Sequence, residues 1–108
     1  MLFVRKEYFE AIRSGAKTTT LRFWRWPTVR PGSVHTVRGL GRVRIHSVEP
    51  LQPEDLTDDH ARRDGFEDLA ELHAALERHY PADKRNSRKL FLVRFEFIQD
   101  DHPQKGQA

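Results

Sequence analysis

The segment 89–98, KLFLVRFEFI, constrains the fold more than any other part of the chain. It is the most apolar stretch of the sequence, and short apolar runs rich in β-branched and aromatic residues form strands buried on both faces. It therefore predicts the central strand of a sheet. A second strand is predicted from KTTTLRF at 17–23, where β-branched residues alternate. Alternation puts Thr18, Thr20 and Arg22 on one side and Thr19, Leu21 and Phe23 on the other. Residues 33–38 and 42–48 read as a strand pair joined by a turn at Gly39 to Gly41, with Val43, Ile45 and Ser47 opposite Arg44, His46 and Val48.

Helices are predicted between and before these strands. Tyr8, Phe9 and Ile12 recur at helical spacing, and Gly15 is a natural C-cap. Thr57 caps a short helix over 58–63 that Gly65 stops, with Asp residues leading and Arg residues trailing to match the helix dipole. Leu69, Leu72, His73 and Leu76 recur at spacings of three and four, predicting a helix over 67–79 before Pro81. Pro27, Pro31 and Gly32 mark a loop. The pattern is α+β, with one domain over 1–98 and a polar tail at 99–108 expected to be disordered.

A chain of 108 residues supports one modest core. With no cysteine, a disulfide scaffold, a thiol nucleophile, a Cys-ligated zinc and an iron–sulfur cluster are excluded. The six histidines show no metal-binding spacing; only His60 with Asp64 sits one helical turn apart, and no metal is expected. A glycine-rich phosphate loop is also missing, which excludes nucleotide triphosphatase and dinucleotide chemistry, and no cofactor is expected. The sequence shows neither the apolar core of a signal peptide nor an apolar run of membrane-spanning length, so no membrane partner is expected and the location reads as cytoplasmic.

Charge is unevenly spread. The net charge is +3, yet up to His46 there are ten basic and two acidic residues, against nine basic and fourteen acidic after it. Such polarity can focus potential over a cleft and recruit a polyanion or a phosphorylated small molecule; the alternative is that the acidic half folds back and neutralises the basic one.

Two constellations carry chemistry. In the first, Lys17 stands at the mouth of a strand beside Thr18, Thr19, Thr20 and Arg22. An ammonium and a guanidinium next to a hydroxyl can bind phosphate or carbonyl oxygen, or activate the hydroxyl if burial neutralises the lysine. Asp64 is a possible acidic partner. In the second, Arg22, Trp24, Arg25, Trp26 and Arg30 interleave aromatic and basic side chains in a predicted loop, where a base could stack and phosphates be held. The same indoles could instead plug the end of a small barrel or form a homodimer contact.

These residues carry a family pattern. The helix ending at Gly15, the run from Gly15 through Lys17 and Thr18 to Arg22, Pro31 and Gly32 before a strand, His60, Ala61 and Gly65, the helix ending at Tyr80 and Pro81, and the closing strand from Phe91 to Phe95 resemble the ASCH domain family, a branch of the PUA-like superfamily. The resemblance covers nearly the whole chain except its tail. It implies a small PUA-like β-barrel with flanking helices and a cleft facing Lys17, and binding of RNA or nucleotide-like ligands. One group of similar size resembles amidohydrolases that deacylate N4-acylated cytidine through a lysine, a threonine and a glutamate. Carried over, the lysine falls on Lys17, the threonine on Thr20 and the glutamate on Asp64, one methylene shorter. Other members are single-strand ribonucleases, for which no residue set carries over.

Three functions follow as expectations. In the first, the cleft binds single-stranded RNA or a nucleoside or nucleotide, through Lys17, Arg22, Trp24, Arg25, Trp26 and Arg30. In the second, Lys17, Thr20 and Asp64 are catalytic and deacylate an N4-acetylcytidine-like nucleoside, with ribonuclease action as a variant. The third is a protein-interaction module that buries Trp24 and Trp26 in a subunit contact.

Overall fold

The structure is a computed structural model that describes residues 4–100. A 3-10 turn at Lys6–Tyr8 leads into helix α1 (Phe9–Ser14), strand β1 (Thr19–Trp24), strand β2 (Val34–Val37) and strand β3 (Gly41–Pro50). After a second 3-10 turn at Pro53–Asp55 come helices α2 (Asp58–Arg63), α3 (Leu69–His79) and α4 (Ala82–Arg85), then strand β4 (Lys89–Asp100). The sheet is antiparallel in the order β1-β4-β3-β2. The segment 89–98 thus lies inside the sheet, between β1 and β3, and the strand continues two residues further. Residues 101–108 of the tail expected to be disordered lie outside the described residues.

The expected β-barrel is not formed. The sheet has four strands, with β1 and β2 at opposite edges and no pairing between them. A barrel removes its edges by pairing the two outermost strands; here β1 and β2 stay apart and other elements cover the two faces of the sheet. Odd-numbered β4 residues Val93 and Phe95 pack with Val43 and Ile45 of β3, Phe9 and Ile12 of α1 and the loop residue Val29. Even-numbered Leu90 and Leu92 pack with Leu21 and Phe23 of β1 and with Ala61 and Leu72 of the helices. Each face therefore has its own core, and the architecture is an open antiparallel sheet with helices.

Local chemistry explains the helix ends. Gly15 closes α1 at φ 86°, a left-handed value that costs glycine little. Thr57 caps α2 in a reciprocal box: its side chain accepts from the His60 amide and the His60 ring accepts from the Thr57 amide. Asp68 caps α3 by accepting from the Glu71 amide at 2.9 Å, so the helix starts two residues later than the periodicity suggests. Leu72 and Ala75 are its buried positions, and His73 faces solvent.

Candidate functional site

The end of α2 is stitched to the start of β1 by backbone bonds. The Thr18 amide donates to the Arg63 carbonyl at 2.8 Å, and the Lys17 amide to the Ala11 carbonyl of α1 at 3.0 Å. Lys17 and Asp64 form an isolated antiparallel bridge. These bonds hold their side chains face to face. Lys17 Nζ lies 3.1 Å from Asp64 Oδ2 and donates to the Asp64 carbonyl at 3.0 Å. The other carboxylate oxygen accepts from Thr19 Oγ1 at 2.8 Å. Both charged side chains are buried, at 3% and 6% exposure, so the pair is screened from water and fixed from three directions.

Around this pair opens a cavity of about 240 Å³. Its polar lining includes Lys17, Thr20, Arg22 and Asp64, and its aromatic walls are Tyr8, Phe66 and Tyr80. The Tyr8 ring centre is 5.0 Å and the Phe66 ring centre 6.0 Å from Lys17 Nζ, close enough for cation–π attraction. Tyr8 and Phe66 meet edge to face at 6.0 Å. The Tyr8 hydroxyl bonds His79 Nε2 at 2.8 Å, tying the entry of α1 to the end of α3. Arg22 Nε donates to Thr20 Oγ1 at 3.1 Å.

Burial sets the electrostatics. It pushes the Lys17 ammonium below the ordinary lysine value, against the opposing pull of the Asp64 carboxylate. Burial also lowers Arg22, with the Tyr80 phenol and the Asp64 carboxylate offsetting part of the effect. An arginine remains charged all the same. Tyr8 is raised, first by burial and then by Glu7.

The structure brings Lys17, Thr20, Arg22 and Asp64 into one cavity and leaves Trp24, Arg25, Trp26 and Arg30 outside its lining. Trp24 ends β1 rather than standing in a loop, and its half-buried ring meets Phe91 at 5.8 Å. Trp26 is 70% exposed. His60 is engaged in capping α2, and no group of three or more metal-ligating side chains occurs among the described residues. Sequence reading missed Tyr8, Phe66 and Tyr80 as cavity walls and Thr19 as a partner of Asp64. A tyrosine just before a capped helix and another just after one were the available signs.

This arrangement of sheet and helices is a known fold. A hypothetical protein, PH0355, matches at a TM-score of 0.71 with 17% identity, over 89% of this chain and 95% of that one. An ASCH domain from Lactobacillus crispatus matches at 0.72 with 20% identity, over 89% and 76%. A protein from Enterococcus faecalis of the DUF984 family matches at 0.60 with 18% identity, over 90% and 76%. No family model and no curated protein matches the chain. The chain therefore has the fold of a solved ASCH domain. Among the described residues no helix is long and apolar enough to cross a membrane.

Proposed function

We propose that the cavity binds RNA or a modified nucleoside, taking up one base with its ribose. The observation that carries this reading is the union of aromatic walls, Tyr8, Phe66 and Tyr80, with the polar groups of Thr20 and Arg22 in a single hollow. Splayed-out bases are recognised by stacking on aromatic rings together with hydrogen bonds to their edges. The volume supports a single unit: about 240 Å³ is below the roughly 300 Å³ at which sites for drug-sized ligands begin. A longer strand would cross the mouth instead of entering.

Binding is favoured over deacylation by the hydrogen bonds. A lysine that activates a threonine must reach its hydroxyl. Lys17 Nζ is held by the carboxylate and carbonyl of Asp64, while Thr20 Oγ1 accepts from Arg22.

The test is an NMR titration with cytidine, N4-acetylcytidine and a short single-stranded RNA, with products followed by chromatography. Saturable shifts of the Tyr8, Phe66 and Tyr80 rings without product are expected for at least one ligand. Unmoved rings with all three would overturn the proposal, and release of cytidine from N4-acetylcytidine would replace it with hydrolysis.

A further inference from the structure

The cavity carries far more positive charge than its buried pair accounts for. Five cationic side chains line it, Arg5, Lys17, Arg22, Lys84 and Arg88, against one carboxylate, that of Asp64. Lys17 is matched by Asp64. The four others come from four separate segments: the lead into the first turn, β1, α4 and the loop before β4. Three other exposed arginines do have carboxylate partners, Arg44 with Glu96, Arg63 with Asp59 and Arg78 with Glu7. Arg5, Lys84 and Arg88 are exposed and form no ion pair among the described residues.

Like charges gathered at a low-dielectric hollow repel one another, and a bound anion relieves that repulsion. Burial first, with Arg5 adding to it, disfavours the charged forms of both Arg22 and His79. We propose that Arg5, Arg22, Lys84 and Arg88 form a phosphate subsite at the cavity mouth, so that the ligand is a nucleotide, as a phosphate monoester or diester, and not an uncharged nucleoside. Arginine forks and a lysine ammonium are the side chains suited to phosphate oxygens. Arg88 also lines an adjoining hollow beside Phe23, Leu51 and Lys89, a course along which a diester could continue to a second nucleotide. This inference rests on the nucleoside reading of the cavity.

The test is calorimetric titration with the four common ribonucleosides, their 5′- and 3′-monophosphates and the corresponding dinucleotides. For at least one base the phosphate is expected to raise affinity roughly ten- to a hundredfold, the range of hydrogen bonds to charged groups. In the variant Lys84→Gln with Arg88→Gln most of that gain is lost and nucleoside affinity stays the same, whereas Arg62→Gln, an exposed arginine outside the cavity, changes neither. A gain seen with monophosphates alone assigns the site to strand ends; a gain shared by dinucleotides assigns it to strand interiors. Equal affinity for nucleoside and nucleotide overturns the subsite and leaves the nucleoside reading standing, and so does a gain that survives the double variant. If no nucleoside or nucleotide binds, both fall.

Discussion

Placing Lys17 and Asp64 together inside the protein removes two charges from water, and their mutual contact, the Thr19 hydroxyl, the Asp64 carbonyl and the Tyr8 and Phe66 rings offset that loss. Removing one partner strands the other. Lys17→Met or Asp64→Asn is therefore expected to cost about 3–5 kcal/mol, while Lys17→Met with Asp64→Leu recovers much of it, as urea denaturation would read. One consequence concerns controls: a Lys17→Ala variant that loses ligand could simply have lost its fold, so Thr20→Val is the cleaner probe of the cavity. A second residue-scale effect comes from His79, whose proton affinity burial lowers from 6.5, helped by Arg5, Arg78 and Arg22 and opposed by Glu7. The unfolded chain then holds the His79 proton more tightly than the folded one, so stability falls as the pH drops below 6.5 through the lowered folded value. A denaturation series from neutral to acid pH should show this slope in the native chain and its reduction in His79→Gln. At this scale the run around Lys17, with the family resemblance, pointed to Lys17, Thr20, Arg22 and Asp64, four side chains that line one cavity. The walls were not legible, because Tyr8, Phe66 and Tyr80 lie in three separate segments, the first 3-10 turn, the loop after α2 and the end of α3, and only tertiary packing brings them together.

Among the elements, α2 has the most influence on the cavity for its size. Six residues long, it presents Asp64 from its C-terminal cap, and its register depends on the Thr57 box at the other end. Thr57→Ala is expected to cost about 1 kcal/mol and to loosen the Lys17–Asp64 contact, which amide hydrogen exchange at Thr18 would report. Gly65, next to that cap, has φ 94°, and a Cβ there would stand 3.3 Å from Lys17 Cβ. Gly65→Ala should therefore cost about 1–2 kcal/mol from the left-handed backbone alone, and more from the displaced lysine. Local patterns were sufficient for β1, β3 and β4 and for the caps at Gly15 and Thr57. They were not for α4, whose four residues ADKR have no apolar period to mark them.

For the whole molecule, closure of the sheet was the feature that local pattern could not carry, because a barrel depends on whether β1 and β2 meet, and their strand sequences are compatible with either outcome. The charge asymmetry is offset in part by ion pairs between the two halves. Arg44 with Glu96 and Lys17 with Asp64 pair cations of the basic half with carboxylates of the acidic one, yet the cavity mouth draws cations from both halves. The two tryptophans divide in the same manner. Trp24 packs on Phe91 and the core, so Trp24→Ala should destabilise the fold by about 3–5 kcal/mol at most, the range for a fully buried ring, and by less for one that is half exposed. Trp26 is 70% exposed, and its removal should leave stability within about 0.5 kcal/mol. If a strand leaving the cavity runs over Trp26, stacking worth about 1–3 kcal/mol per base is lost in Trp26→Ala. Affinity for a short single-stranded RNA then falls while affinity for a mononucleotide does not. Equal losses for both ligands would instead tie Trp26 to the shape of the cavity, and no loss for either would confine recognition to the Lys17 hollow and its mouth.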